Sequence, residues 1–316
     1  MKKIAVLLSS YNGEHYIEEQ IESIYRQSFK DFQLYIRDDG SNEAFKDKLH
    51  TLQKKYGFVL YEGDNIGFVG SFMWLLRNVK DADYYAFAYQ DDLWKEEKLE
   101  KSISWFEEGL KTGTVKENRP ALFHSAYEIA SDITGTDSND SEIAVPGNNK
   151  NTIFFFSDEG YDFGRSITEN HYSGFSMMIN RPLRNLMIRG NDEKIGYHDW
   201  WAALIVQAFG TAHSDDVVMA VHRAHGDNVT TFNLSTRIKW LIRSLKEESD
   251  IHKRTVEFNR CFGDRLRSRD KKVLDMFAGG KYNFIYALKK CFYPKRWRPV
   301  ISSEIVVRLL MLIGRI

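Results

Sequence analysis

The chain has 316 residues, of which 43% are hydrophobic and 28% are charged, and its formal net charge is zero. This composition is typical of a globular protein that can bury a sizeable core. The two cysteines, Cys261 and Cys291, are too few for a disulfide framework, so we expect a reducing compartment and a cytoplasmic protein. The first apolar run is too short for a signal peptide, and no segment approaches the ~20 apolar residues of a membrane-spanning helix.

The zero net charge hides an uneven distribution along the chain. Residues 251–316 contain 16 Lys and Arg against 5 Asp and Glu, whereas residues 1–250 contain 28 against 39. An acidic body with a basic tail indicates that the tail meets an anionic surface. The tail has no recognised nucleic-acid-binding module, so we do not expect a nucleic-acid partner.

Strand and helix patterns alternate over the first hundred residues. The apolar run 4–10 predicts a buried parallel strand, and residues 16–28 place isoleucines at helical spacing. Strands are also predicted in 32–41, 58–64 and 84–92, with helices over 42–56 and 70–79. Alternation in units of about 30 residues predicts βαβ units and a doubly wound α/β sheet.

The remaining chain is patterned less evenly. Residues 131–152 are rich in Ser, Asp, Asn and Gly, which predicts a long surface excursion. Residues 196–210 predict a largely buried helix, and patterned sequence continues over 216–230. From residue 236 onward the sequence is helical, basic and aromatic.

Polar side chains follow each of the four predicted strands. Because ligands bind beyond the carboxyl ends of parallel strands, four such ends on one sheet edge favour a binding site over four ordinary loops. The polar residues are Ser9 and Asn12, Asp38 and Asp39, Asp64 and Asn65, and Asp91 and Asp92.

Asp91 and Asp92 end a run of aromatic and apolar residues. Adjacent carboxylates at the end of a buried strand repel each other and lose hydration unless a positive group lies near them. A hard divalent cation that is bound to a nucleoside diphosphate would answer that need. The alternative is that Asp92 caps the helix that follows.

The sequence HDWW, residues 198–201, places an acid beside two tryptophans ahead of an apolar helix. Asp199 could cap that helix while both tryptophans enter the core. Alternatively, the indoles form a surface on which a sugar ring stacks, with Asp199 at hand as a base.

The chain resembles the family 2 glycosyltransferases of the GT-A fold, and among them the bacterial rhamnosyltransferase-type members that build cell-wall and capsular polysaccharides. The resemblance covers roughly residues 1–232 and follows the expected order of motifs. The motifs are SSYNGEHYIEEQIESIYRQS, DFQLYIRDDGS, DNIGF, YQDDLWKEEKL, SGFSMMINR, HDWWAALIVQAFG and VHRAHGDNVT.

This resemblance implies a fold and a domain plan. The fold is a Rossmann-like mixed sheet flanked by helices, with a helical C-terminal extension. The catalytic domain would cover residues 1–235, with a nucleotide-sugar-binding half at 1–117 and an acceptor-binding half at 118–235. Residues 236–316 would form the basic extension.

The resemblance also implies roles for individual residues. Asp199 matches the general base, and Mg²⁺ or Mn²⁺ would be held by Asp92 and His225, although His225 could equally be structural. Gly174, Trp200 and Trp201 would contact the acceptor. The residues implied for donor binding are Ser9, Tyr11, Asn12, Asp39, Asn65, Asp91 and Asp92.

Two departures from the family pattern concern charge. The acidic motif is Gln-Asp-Asp rather than Asp-x-Asp, so metal binding could rest on one carboxylate. Gly70 and Ser71 stand where relatives often carry a lysine or arginine. A diphosphate would then rely on the metal, Arg223 and His225.

The implied activity is inverting transfer of a sugar from a nucleotide-sugar donor to a hydroxyl of a growing, lipid-linked cell-surface polysaccharide. L-rhamnose from dTDP-rhamnose fits the nearest relatives, whereas UDP-glucose, UDP-galactose or another hexose donor stays open. A catalytically silent nucleotide-sugar-binding relative is the other alternative. The extension would lie on the inner face of the cell membrane, form a homo-oligomer contact, or pack on the catalytic domain.

Overall fold

The computed structural model describes residues 3–131, 152–224, 249–279, 282–298 and 301–316. Within these residues the chain forms nine strands. They are β1 (Ile4–Ser10), β2 (Phe32–Asp38), β3 (Val59–Glu62), β4 (Tyr84–Tyr89), β5 (Leu93–Trp94), β6 (Ala121–Ser131), β7 (Thr152–Phe154), β8 (Met177–Asn180) and β9 (Thr211–Ala224).

Twelve α-helices lie in the same residues. They are α1 (Ile17–Tyr25), α2 (Glu43–Tyr56), α3 (Gly67–Asn78), α4 (Lys98–Thr112), α5 (Phe163–Thr168), α6 (Arg181–Met187), α7 (Asp192–Ile195), α8 (His198–Phe209), α9 (Asp250–Phe262), α10 (Ser268–Asp275), α11 (Phe284–Cys291) and α12 (Ile301–Leu312). No helix of the described chain has the length and apolar character needed to cross a bilayer.

All nine strands belong to one mixed sheet in the order β3-β2-β1-β4-β8-β6-β9-β5, with β7 beside β6. The strands β1 to β4 are parallel, and β8 is antiparallel to both β4 and β6. The four predicted strands and the α/β class are therefore confirmed. Strand order reverses between β1 and β4, which is where ligands bind in sheets of this kind.

Buried apolar residues form a layer on each face of the sheet. One layer joins β1 to α1, α2 and α4 through side chains such as Ile21 and Phe45. The other joins α3 and α8 to the helices after residue 249, so that Trp201, Phe258, Trp297 and Met311 belong to one cluster. The C-terminal helices thus complete the core over α8.

Three predictions concern residues that the structure does not describe. The polar excursion predicted at 131–152, apart from its ends, and the boundary predicted between residues 235 and 236 lie outside the described residues, as does His225.

Candidate active site

The loops after β1 and β4 are joined at the point where strand order reverses. Tyr11 N donates to Gln90 Oε1 at 2.9 Å, and Gln90 Nε2 donates to Tyr11 O at 3.1 Å. A Cβ at Gly13 would overlap the Gln90 side-chain oxygen, so a larger residue there would displace the Gln90 side chain. The Tyr11 side chain itself is half exposed, and its predicted role in donor binding stays a prediction.

Asn12 holds two loops together at the same edge. It is the non-glycine residue with a positive φ in the described chain, at 44°, a conformation that asparagine tolerates. Its Oδ1 accepts from Asn42 N at 2.9 Å, and its N donates to Ser41 Oγ at 3.0 Å. The predicted donor-binding role of Asn12 stays a prediction, and the observed role is to position the loop after β1.

Asp39 and Asn65 meet where the loops after β2 and β3 approach each other. Asp39 is buried, and its Oδ1 accepts from Ile66 N at 3.0 Å. Asn65 is exposed, and its Oδ1 accepts from Gly67 N at 3.1 Å. Gly40 permits this approach because a Cβ there would lie 2.7 Å from Asn65 N.

Arg37 is a buried cation at this edge that the sequence analysis missed. It forms an ion pair with Asp39 and donates to Asp64 O at 2.9 Å and to Ser71 Oγ at 3.2 Å. Ser9 Oγ in turn donates to Ser71 Oγ at 2.7 Å. A positive group therefore stands beside Ser71, where relatives often carry one. The feature of the sequence that could have revealed Arg37 was its charge within a predicted buried strand.

Asp92 is fully buried beside a histidine. Its Oδ1 lies 2.6 Å from His222 Nδ1, and its Oδ2 has no hydrogen-bond partner among the described residues. Burial raises the pKa of Asp92 to about 6, against the opposing effect of His222. Burial acts to lower the pKa of His222, but the hydrogen bond to Asp92 outweighs it and raises that pKa. Each partner favours the charged form of the other.

A lysine adds a second positive group near Asp92. Lys98 is buried, its Nζ lies 5.1 Å from the centre of the Trp94 ring, and it has no hydrogen-bond partner in the described chain. Burial lowers the pKa of Lys98 to about 7, and the charge of Asp92 opposes that shift. The helix-cap alternative for Asp92 is wrong, because β5 follows it and α4 begins at Lys98 after Glu97.

Asp199 lies in the first turn of α8 and is held by peptide groups. Its Oδ1 accepts from Trp200 N at 2.6 Å, and its Oδ2 accepts from Gly174 N at 3.2 Å. Burial raises the pKa of Asp199 to about 6, against the effect of these two donors and of Arg254. Tyr197, and not Asp199, is the N-cap residue of α8.

Tyr89 connects the two acidic positions. Burial, and then the charges of Asp199, Asp92 and Asp91, raise the pKa of Tyr89 well above its ordinary value. A Cβ at Gly174 would overlap the Tyr89 hydroxyl and lie 2.7 Å from His198 Nε2. Gly174 therefore lets its own backbone N–H reach Asp199 while the Tyr89 hydroxyl lies beside Gly174.

The two tryptophans of HDWW point in different directions. Trp201 has no exposed surface, and its Nε1 donates to Met187 O at 3.0 Å, so it belongs to the core. The structure therefore corrects the prediction that Trp201 forms an acceptor surface. Trp200 is half-buried, and its Nε1 donates to Ser166 O at 2.6 Å. Consecutive helical residues point about 100° apart, which explains the difference.

The residues at Asp92 fit a divalent cation as a site with few protein ligands. The described residues contain no group of three or more His, Cys, Asp and Glu side chains that could hold a metal ion. However, a buried carboxylate oxygen without a partner, beside an imidazole, suits Mg²⁺ or Mn²⁺, which complete their shells with phosphate oxygens and water. His222, and not only the predicted His225, is thus a candidate ligand.

Arg223, which was predicted to offset a diphosphate's charge, is already paired. It forms an ion pair with Glu19, and its Cζ lies 5.5 Å from the centre of the Tyr16 ring. Less of its charge is therefore left for a ligand than the sequence indicated.

The sequence profile of the family described as Glycosyl transferase family 2 matches residues 5–181. The chain belongs to glycosyltransferase family 2. The match covers β1 to β8 and therefore both Asp92 and Gly174.

Curated relatives match parts of the chain. The dTDP-rhamnosyl transferase RfbG of Shigella flexneri is 30% identical over 102 residues, or 30% of this chain and 35% of its own length. TuaG of Bacillus subtilis, a glycosyltransferase assigned provisionally to teichuronic acid biosynthesis, is 32% identical over 107 residues, or 33% and 42%. The matches thus span well under half of these relatives.

Solved structures resemble the whole chain in fold. TarS residues 1–349 of S. aureus has a TM-score of 0.55 at 14% identity, covering 99% of this chain and 80% of that one. A mannosyltransferase of Pyrobaculum calidifontis, solved with GDP-Man and Mn²⁺, has a TM-score of 0.52 at 12% identity, covering 99% and 86%. These likenesses confirm the predicted GT-A fold.

Proposed function

We propose that the chain is an inverting glycosyltransferase that moves a sugar from a nucleotide-diphosphate donor to an acceptor hydroxyl. The observation that carries this proposal is a pair of acids whose charges both act on Tyr89: Asp92 beside His222, and Asp199 held by two peptide N–H groups. One acid serves the donor and the other serves the acceptor.

Asp199 is the general base. Its hydrogen bonds fix the carboxylate, and a pKa of about 6 leaves it ionised at neutral pH yet basic enough to take a proton. The acceptor hydroxyl loses its proton to Asp199 as its oxygen attacks the anomeric carbon. The bond from that carbon to the diphosphate oxygen breaks in the same displacement, which inverts the configuration.

The donor lies over the ends of β1, β2 and β4. Asp39 bonds the base of the nucleotide, Ser9 and Tyr11 flank it, Asn12 and Asn65 line its loops, and Asp91 lies nearer the ribose. Asp92 and His222 would hold Mg²⁺ or Mn²⁺, and the bound ion would supply Lewis-acid stabilisation of the departing diphosphate. Arg37 keeps Asp39 in place through their ion pair.

The preferred donor is dTDP-L-rhamnose, and the acceptor is a hydroxyl of a lipid-linked cell-surface polysaccharide. The relative that is named a dTDP-rhamnosyl transferase and the one assigned to teichuronic acid biosynthesis support this choice. A UDP-hexose donor is the alternative, since no residue described above selects the sugar.

Turnover over a panel of nucleotide sugars tests the activity and the donor together. The purified chain is incubated with each donor and Mg²⁺, and released nucleotide is measured with Asp199→Asn as the matched control. We expect release from dTDP-rhamnose that the variant lacks, and an inverted anomer by NMR in the product. No release from any donor would instead identify a silent nucleotide-sugar-binding relative.

The C-terminal helices place the cytoplasmic enzyme on the inner face of the cell membrane. Ile301, Ile305 and Leu309 are more than half exposed at four-residue spacing along α12, and Phe284, Ile285 and Phe292 are exposed on and after α11. Lys289, Arg296 and Arg315 are exposed in the same region. Apolar side chains among cations suit anionic headgroups, at about 1 kcal/mol per basic residue.

Burial of two cations limits this surface. Lys290 is buried and its side chain donates to Ile316 O, and the Nε atom of Arg298 is buried as well. The exposed set is thus smaller than the basic run in the sequence.

Co-sedimentation with vesicles tests the membrane surface. We expect salt-sensitive binding to anionic vesicles only, lost when Ile305 and Leu309 become Ser but kept in Val217→Ser on β9. Binding to neither vesicle type, with a homodimer that the Ser variants dissociate, would make α12 an oligomer contact.

A further inference from the structure

The C-terminal extension brings a buried guanidinium group to the acceptor side of the site. Arg254, on α9, is 1% exposed, and its Cζ lies 3.6 Å from the centre of the Trp200 ring. Its Nε and Nη2 atoms are buried and have no hydrogen-bond partner among the described residues. Buried guanidinium N–H groups without hydrogen bonds are costly unless negative charge lies near them. We therefore expect a negatively charged group near Arg254.

The chain around Trp200 leaves room for this group. Gly196 has a φ of 77°, and a Cβ there would lie 2.7 Å from Arg254 Nη1. The Trp200 indole nitrogen is bonded to Ser166 O, and its peptide nitrogen is bonded to Asp199 Oδ1. The guanidinium thus lies on a ring that is fixed on one side to the core and on the other to the carboxylate.

We propose that Arg254 is a positioning residue for sugar transfer: its cation, stacked on Trp200, favours the ionised form of Asp199. The inference rests on the proposed role of Asp199 as the general base. It gives the extension a part in catalysis that is separate from membrane binding.

The charges around this pair support that role. The charge of Arg254 lowers the pKa of Asp199, opposing the burial that raises it to about 6. Burial lowers the pKa of Arg254 to about 9, against the charge of Asp250 and, to a smaller extent, that of Asp199, so Arg254 stays protonated at neutral pH. The other titratable groups that face the pair are Asp250, Arg298, Tyr161, Tyr89 and Tyr127. None of them except Arg298 brings a positive charge.

The test is the pH dependence of the single-turnover rate in Arg254→Met. Without the cation, the apparent pKa of the base should rise by about one unit. The rate should then fall about fivefold at pH 6 but hardly at pH 8, because Asp199 is ionised at pH 8 in both proteins. Arg265→Met is the matched control, since Arg265 also stacks on a ring, Phe209, at the opposite end of α8.

A purely structural role gives a different result. A rate that falls by the same factor at pH 6 and pH 8, with melting temperature lowered in parallel, would overturn the proposal. If the Arg254→Met variant does not fold, Arg254→Lys is the variant that tests the proposal. This variant keeps the positive charge, so the apparent pKa of its rate profile should stay near that of the unmodified protein. A rise of a full pKa unit would overturn the proposal.

The outcome is separable from that of the proposed function. If the unmodified chain transfers no sugar, the proposed function fails. If it transfers sugar and Asp199→Asn does not, while Arg254→Met leaves the pH profile unchanged, only the inference about Arg254 fails.

Discussion

Asp92 is fully buried and Asp199 is partly buried, and desolvation raises the pKa of each to about 6. The hydrogen-bond partners of the two carboxylates differ in kind. Asp92 faces His222, a group that can itself carry charge, whereas Asp199 faces two neutral peptide N–H groups. An acid with a titratable partner and one unpartnered oxygen suits ligand or metal binding. An acid that is oriented by fixed dipoles suits proton transfer.

The largest effect should come from Asp199→Asn. Removing a general base costs about 10²- to 10⁴-fold in rate, because the acceptor hydroxyl must then attack while still protonated. Donor affinity, measured by calorimetry, should stay unchanged. Asp216→Asn, at an exposed position on β9, is the control. Turnover close to normal would return Asp199 to the role of a helix-end acceptor.

Asp92→Ala should act on donor binding instead. In Mg²⁺ or Mn²⁺ we expect donor affinity to fall by about 10- to 100-fold, since a metal ligand is lost. With EDTA the two proteins should bind the donor almost equally. If EDTA leaves the unmodified enzyme fully active, His222 and Lys98 alone balance the charge of Asp92.

Gly174→Ala should disturb Asp199 by way of Tyr89. The added Cβ overlaps the Tyr89 hydroxyl, so we expect a loss of about 1–3 kcal/mol in the free energy of unfolding and slower transfer. Adding Tyr89→Phe removes the hydroxyl and should recover part of the free energy of unfolding and part of the transfer rate. Gly279→Ala is the control, because its Cβ would meet only Asp275 O at 4.0 Å. No recovery in the double variant would place the strain at His198.

The smallest effect concerns stability and pH. The folded-state pKa of Asp199 is raised from 3.8 to about 6, so the folded state binds its proton more tightly than the unfolded state does. The free energy of unfolding should therefore fall as pH rises from about 4 to 6, and stay lower above pH 6. Between pH 4 and pH 6 the contribution of Asp199, measured against Asp199→Asn in urea titrations, should amount to about 2 kcal/mol. An identical pH dependence in both proteins would contradict it.

Local patterns were enough to predict the strands whose ends form the candidate site. The carboxyl ends of β1, β2 and β4 could be predicted because apolar runs and the acids that follow them are close in sequence. Trp201 was assigned to the wrong face because the sequence HDWW does not fix which indole of the helix turns inward, and only the packing against α9 does so.

The partners of the acids were harder to predict, since they come from distant parts of the chain. His222 reaches Asp92 because β9 pairs with β5 and β6, a strand order that no local pattern encodes. Arg254 reaches Trp200 because α9 packs over α8 from the extension. Arg37, the ion-pair partner of Asp39, is close to it in sequence but was also missed, because the sequence does not show that the side chain of Arg37 is buried.

The central claim is that Asp199 is the general base and Asp92 is not. The most direct test is the single-turnover rate between pH 5 and pH 8 in the unmodified enzyme and in Asp199→Asn. The unmodified enzyme should show a rate that rises to a plateau with an apparent pKa near 6, as Asp199 loses its proton. Asp199→Asn should show a low rate with no such rise. The same rise in both proteins would contradict the account, because the titrating group would then be a residue other than Asp199.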